Sequence, residues 1–169
     1  VILAFGTDTE FFRPKKEEKL FDVFFPATYS PWKRQNLLAE STKGLKVLTC
    51  GVVQPDGEDL FNQCKSEGYT LAGLVPSKVI AQLYNLSRVV CITAWHGSER
   101  TTLAAMACNI PLVITKDNEL ACSLTTDEVI KVDPNAIAIR KGIDEALTKQ
   151  VFTWEHIFHN YSHLEYANK

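Results

Sequence analysis

From Val89 to Thr115 the chain reads VVCITAWHGSERTTLAAMACNIPLVIT. It opens on an unbroken apolar, β-branched run, Val89 to Ala94, and closes on another, Pro111 to Thr115. Between them a polar, glycine-containing turn leads into a helix over about Ser98 to Cys108. Strand, turn, helix, strand is the order of a βαβ unit. Apolar runs that do not alternate belong to strands covered on both faces, as in parallel sheets. The same order extends in both directions. Upstream lie strand runs at Asp22–Thr28, Leu45–Val53 and Tyr69–Gly73. Helices over Lys33–Ser41 and Asp59–Glu67 separate them, and Ser77 caps a third that carries Val79, Ile80, Leu83, Tyr84 and Leu86. Downstream come a strand over Glu128–Val132, a helix over Ala136–Thr148 and a last helix over Trp154–Tyr166.

These elements predict one α/β domain over residues 1–169, a Rossmann-like open parallel sheet of about six strands with helices on both faces. Ligands of such sheets bind beyond the carboxyl ends of the strands. The loops to inspect are therefore 26–33, 51–57, 73–77, 94–100 and 115–120.

Composition agrees with a globular chain. Of 169 residues, 22% are charged and 46% belong to the hydrophobic set, which excludes a disordered polymer. Eighteen Lys and Arg against 20 Asp and Glu leave a net charge of −2, without the basic excess of a nucleic-acid binder. No apolar run reaches the roughly 20 residues of a membrane span. The expected location is the cytoplasm, with membrane association through the rest of the protein left open. Five cysteines, at 50, 64, 91, 108 and 122, show no C-x-x-C or zinc-ribbon spacing and read as free thiols, three of them inside apolar runs. The chain begins at Val1 within an apolar run and closes at Lys169 without a turn signal, which predicts a piece of a longer protein.

Candidate chemistry concentrates in two loops. No Gly-x-Gly-x-x-Gly follows a strand, and no Walker A, Gly-x-Ser-x-Gly or Asp-x-Asp motif is present. His156, His159 and His163 fall near one helix face but interleave with Phe152, Trp154, Phe158 and Tyr161, the pattern of an aromatic face rather than a zinc site. The loop His96-Gly97-Ser98-Glu99-Arg100-Thr101-Thr102 is different. Gly97 permits close backbone approach, Ser98 can cap, and the helix start offers free N–H groups and a positive dipole end. At the neighbouring loop, Lys33 and Arg34 form a pair of cations able to hold a diphosphate.

These segments also resemble a known family. Val1-Ile-Leu-Ala-Phe-Gly-Thr-Asp-Thr-Glu-Phe-Phe-Arg-Pro14 is similar to the asparagine-glycine-valine-aspartate segment that opens the C-terminal domain of retaining GT-B glycosyltransferases, the group 1 family. Leu103-Ala-Ala-Met-Ala-Cys-Asn-Ile-Pro-Leu-Val113 resembles that family's leucine-glutamate-alanine-methionine block. Gly73 to Tyr84 resembles its glycine-x-valine segment and the following helix, and Phe152-Thr-Trp154 its phenylalanine-serine-tryptophan. The resemblance implies a C-terminal half of a GT-B architecture, with residues 151–169 as a terminal helix near the junction with an N-terminal domain. It implies that Lys33 contacts a donor diphosphate, and that Gly97, Ser98, Arg100, Thr101 and Thr102 receive phosphates. It assigns the base to Gly73, Leu74 and Val75, and places His96 toward the donor sugar as the candidate catalytic group.

The departures from the family pattern are specific. Its glycine-arginine pair falls on Ala27 and Thr28, so Arg34 is the candidate substitute for the arginine. Its two glutamates fall on His96 and Ala104, the second being the ribose position, and a glycine falls on Asn109. The function implied is donor binding within a hexosyl-type glycosyltransferase of polysaccharide or glycoconjugate biosynthesis. Such an enzyme moves a sugar from a nucleoside diphosphate to an acceptor hydroxyl, without metal or other cofactor. The acceptor, a saccharide or lipid-linked acceptor, belongs to the N-terminal domain, so the 169-residue chain alone transfers no sugar. A non-catalytic binding module of the same fold and an epimerase-like nucleotide-sugar enzyme stand as alternatives.

Overall fold

The computed structural model describes residues 7–122, 124 and 129–149. The opening segment Val1–Gly6, the start of the sixth strand run at Glu128, the helix expected over Trp154–Tyr166 with its three histidines, and the Phe152–Trp154 motif lie outside the described residues. Six strands form one sheet: β1 (Phe21–Pro26), β2 (Val47–Cys50), β3 (Thr70–Leu71), β4 (Ser87–Ile92), β5 (Leu112–Thr115) and β6 (Val129–Val132). All pairings are parallel and the order is β3-β2-β1-β4-β5-β6. Among the described residues four α-helices connect successive strands, α1 (Gln35–Ser41), α2 (Glu58–Ser66), α3 (Ser77–Asn85) and α4 (Glu99–Ala107), and a fifth, α5 (Ala136–Thr148), follows β6.

The continuous apolar strand runs are explained by two cores. Side chains of successive strand residues point to opposite faces. Phe24, Leu48, Val90, Ile92, Leu112 and Ile114 form one core with Tyr84 of α3 and Ala104 and Ala105 of α4. Val23, Phe25, Val47, Val89, Cys91 and Val113 form the other with Leu38 of α1 and Ile139, Ile143 and Ala146 of α5. Cys50, Cys64, Cys91 and Cys108 are free and buried, and burial raises the thiol of Cys64 to about 11 and the other three to about 12. They are packing groups rather than nucleophiles.

Three local expectations change. The run at Leu45–Val53 makes only a four-residue strand, because Gly51 leaves the sheet to lie on the backbone of the β1 loop. A Cβ at Gly51 would stand 2.2 Å from the Ala27 carbonyl oxygen, and Val52 and Val53 are turned out to solvent beyond it. The helix expected from Lys33 is split into a 3-10 turn, Pro31–Lys33, and α1, because Arg34 between them is left-handed at φ 56°. Ser77 does not cap α3; it is the first helical residue, Pro76 holds the cap position, and no side chain bonds the free N–H groups there. Asn135 does cap α5, its side chain accepting from the Ala138 N–H at 2.9 Å.

Candidate functional site

The strand order reverses between β1 and β4, the position at which open α/β sheets hold ligands, and the loops that follow those two strands are tied together there, the Trp95 N–H donating to the Trp32 carbonyl at 3.2 Å. A cavity lies beside this position, at the carboxyl ends of β1, β2 and β3, with a volume of about 340 Å³. Pro26, Ala27, Thr28, Cys50 and Gly51 line it from the strand ends. Gly73, Leu74, Val75, Ser77, Ile80 and Tyr84 come from the β3–α3 side, Arg100, Thr101 and Ala104 from α4, and Thr7, Asp8 and Phe12 from the N-terminal segment. The size suits a small organic ligand. Tyr84 is fully buried; its hydroxyl donates to the Thr101 carbonyl at 3.1 Å, and its ring meets Phe24 and Phe12 edge-on. Burial holds that phenol well above its ordinary range, so it is a neutral donor. The Gly73 carbonyl accepts from the Gly51 N–H at 3.0 Å, which ties the β2 and β3 loops together under the cavity.

Lys33 joins the loop after β1 to the loop after β4. It is 7% exposed, with Nζ 4.0 Å from the centre of the Trp32 ring and donating to Ser98 Oγ at 3.2 Å. Burial lowers its pKa, and the negative charge of Glu99 acts in the opposite direction. Gly97 (φ 70°) and Ser98 (φ 82°) are both left-handed, the conformation glycine adopts readily and serine seldom does. Ser98 therefore does not cap α4 through its hydroxyl, contrary to expectation. The hydroxyl accepts from Lys33 instead. His96 is exposed and stacks flat on Trp32, with ring centres 4.7 Å apart and planes 6° apart.

Arg34 departs furthest from its expected role. Nη1 donates to Asp117 Oδ2 at 2.7 Å, and Nη2 to Asp117 Oδ1 at 2.9 Å and Thr115 Oγ1 at 2.8 Å. Nε donates to the Thr93 carbonyl. Four of the five N–H groups of the guanidinium are thus used inside the protein. Arg34 is a clamp across the ends of β1, β4 and β5 rather than a second arm for a diphosphate. Thr93 completes the clamp by donating to the Lys33 carbonyl at 2.7 Å, which fixes the backbone from which the Lys33 side chain departs.

The expected residues therefore divide into three groups. Gly73, Leu74, Val75, Arg100, Thr101 and Ala104 line the cavity. Lys33, His96, Gly97 and Ser98 gather at the neighbouring loop junction. Arg34 and Thr102 belong to neither. Thr102 is fully buried, and its N–H closes the first turn of α4 on the Ser98 carbonyl, so it is part of the helix rather than a phosphate donor. Sequence reading missed Asp117, although it sits in a loop already singled out, because an acid two residues past a strand gives no hint of its partner 83 positions away. It also missed Trp32, whose place between Pro31 and Lys33 in a binding loop was the available signal. Among the described residues no cluster of His, Cys, Asp or Glu is arranged to hold a metal, and no helix is long and apolar enough to cross a membrane.

No family model matches the chain, and no curated protein matches it in sequence. Solved structures match it in shape. The C-terminal domain of a group 1 family glycosyl transferase from Francisella tularensis superposes with a TM-score of 0.68 at 18% identity, over 96% of this chain and 93% of that one. The fold is that of a group 1 glycosyltransferase C-terminal domain. The Anabaena protein HepE, in a complex with UDP and glucose, matches this glycosyltransferase fold with a TM-score of 0.69 at 16% identity, over 95% of this chain and 55% of that one. A glycosyltransferase from Rickettsia africae matches with a TM-score of 0.64 at 16% identity, over 92% of this chain and 49% of that one. The chain thus spans about half the length of these last two structures.

Proposed function

We propose that this domain binds the donor of a sugar-transfer reaction, a nucleoside diphosphate sugar, with the nucleoside in the cavity and the diphosphate running toward Lys33. The observation that carries the reading is an apolar cavity at the sheet edge with a desolvated lysine on the neighbouring loop, bonded to the residue that precedes α4. The cavity walls at Ile80, Val75 and Phe12 supply apolar surface for a base, and Arg100 and Thr101, close in sequence to the Ser98 that Lys33 contacts, also line the cavity. An ammonium held dry against Ser98, next to the positive end of α4, stabilises charge that develops on a departing diphosphate. Catalysis on this reading is positioning plus neutralisation of the leaving group, and needs no metal. His96, exposed beside Trp32, faces the sugar and donates a hydrogen bond to a hydroxyl or phosphate. The acceptor is held by another domain of the full protein.

Titration of the domain with UDP, GDP and ADP tests the reading. Binding at sub-millimolar to millimolar concentration is expected, weakened roughly tenfold to a hundredfold by Lys33→Ala, the equivalent of about 1.5–3 kcal/mol for a charge-assisted contact. No binding of any of the three at millimolar concentration refutes it. A second reading, a binding module without transferase activity, is favoured by Ala104, which gives the cavity a methyl group where the family resemblance implies a carboxylate. Assay of the full-length protein for sugar transfer and for nucleotide-sugar hydrolysis or epimerisation separates the two.

A further inference from the structure

Gly97 has no side chain, and the point where its Cβ would stand is a small polar niche. Lys33 Nζ and the Trp32 ring each lie 3.6 Å from that point, and Glu99 Oε2 lies 3.9 Å from it. Lys33 and Glu99 form no direct salt bridge, so the lysine is not closed off by the acid: its ammonium donates to Ser98 and the carboxylate stands across the niche. The position of Glu99 is set by the fold, since it is the first residue of α4 and the left-handed pair Gly97–Ser98 turns the chain immediately before it. An acid in the first turn is favourable for the helix itself. For an arriving phosphate it has the opposite effect. The positive charge of Lys33 is partly offset by a carboxylate a few ångströms away, and each further negative charge brought into the niche meets both.

We propose that Glu99 is a specificity-determining residue, a charge filter that makes this site prefer a nucleotide sugar, with its singly charged phosphodiester, over the free nucleoside diphosphate with its terminal phosphate. This rests on the donor-binding reading above. A terminal phosphate carries about −1.5 to −2 at pH 7, because its second pKa is about 6. The diester in a nucleotide sugar carries one charge at the same place and presents sugar hydroxyls, which can donate to a carboxylate. Lys33 attracts both ligands, and Glu99 opposes the doubly charged one more. The direction of the Lys33 shift agrees, since the Glu99 charge acts to raise it against the lowering by burial. The filter also bears on turnover: the nucleoside diphosphate left after sugar transfer is the ligand that Glu99 disfavours, so the same carboxylate favours product release while offsetting part of the leaving-group stabilisation that Lys33 supplies.

The experiment measures affinities of UDP and UDP-glucose for the wild-type domain, Glu99→Gln, and Glu58→Gln as a remote acid on α2. Glu99→Gln is expected to tighten UDP about fivefold, the effect of one nearby charge at intermediate dielectric. UDP-glucose is expected to gain about twofold or less, so the preference for the sugar nucleotide shrinks. Glu58→Gln is expected to move neither. Equal changes for both ligands, or no change, overturn the filter and leave the donor-binding reading standing. Absence of binding of either ligand to all three proteins at millimolar concentration overturns the reading and the filter together. A ligand-free measurement guards against a variant that has lost its local structure. The Lys33 ammonium, followed by NMR of the methylated lysine, should titrate at lower pH in Glu99→Gln. An unchanged Lys33 titration refutes the electrostatic coupling whatever the binding data show.

Discussion

Asp117→Asn is the sharpest test of the Arg34 clamp. The substitution keeps the shape of the side chain and removes its charge. In the native protein Asp117 accepts both arms of the Arg34 fork, at 2.7 and 2.9 Å, and the arginine side chain is only 10% exposed. Charge-assisted bonds contribute about 1.5–3 kcal/mol each when dry. The Asp117 side chain is 37% exposed, so solvent screens the pair and the figure must be discounted. An asparagine also retains one acceptor. The expected loss is therefore about 2 kcal/mol, or roughly 4–8 °C in Tm for a domain of this size. The Lys116–Asp133 pair is the internal control. Its groups are 57% and 63% exposed at 3.0 Å, and Asp133→Asn should lose less than about 0.5 kcal/mol. The pH dependence gives a second constraint. Hydrogen bonding to Arg34 holds the Asp117 carboxyl below its ordinary value. Its contribution is then complete above the unfolded pKa of about 3.9 and is lost as pH falls through the lower folded value. Urea unfolding of wild type and Asp117→Asn should show the full gap at pH 7 and pH 5, narrowing below about pH 4. A gap under 0.5 kcal/mol at pH 7, or one that stays undiminished down to acid unfolding, would falsify the clamp.

Gly51→Ala forces a methyl to within 2.2 Å of the Ala27 carbonyl oxygen, where only backbone movement can make room. It should destabilise by about 1–3 kcal/mol in denaturant unfolding and weaken any cavity ligand; a neutral substitution would show that the two loops are not in contact. Cys50, Cys64, Cys91 and Cys108 should resist alkylation at pH 8 in the native protein and react on unfolding, because burial keeps each as a thiol; peptide mapping that finds any of them rapidly modified in the folded state contradicts this. Ala104→Glu adds a carboxylate to the cavity wall and should tighten ribonucleoside diphosphates relative to dideoxyribo analogues in calorimetric titration. Equal affinities for both sugars in both proteins would remove Ala104 from the ribose assignment.

Legibility in the sequence followed the range of the forces involved. The strands were readable because both faces of the sheet are covered, so burial leaves an unbroken apolar run at Val89–Ala94 or Pro111–Thr115. Strand count and direction followed from the helical segments between those runs. Loop positions were readable for the same reason, and the cavity takes residues from four of the five loops singled out. Pairings between loops were not readable. Arg34 and Lys33 look alike as adjacent cations, yet the left-handed backbone at Arg34 sends one toward Asp117 and leaves the other beside Ser98. Ser98 has the composition of a cap, but its φ of 82° turns the hydroxyl to Lys33. Each of these outcomes depends on a residue more than 60 positions away, which no local pattern encodes.

The central pairing of the sheet also sets an order of assembly. Val23 pairs with Val47 across 24 positions on one side and with Val89 across 66 on the other. Closing the longer loop costs about 0.9 kcal/mol more in chain entropy than the shorter one, before any compensation from structure in between. The β1–β2–β3 layer can therefore form from its own contacts, while the β1–β4 join brings together two halves that are distant in the chain. The cavity takes walls from both halves, Gly51 and Gly73 from one and Thr101 and Ala104 from the other. A ligand at this place acts as a fastener between two folding units. Its occupancy reads out completed folding, and it should slow unfolding by holding closed the seam that is slowest to form.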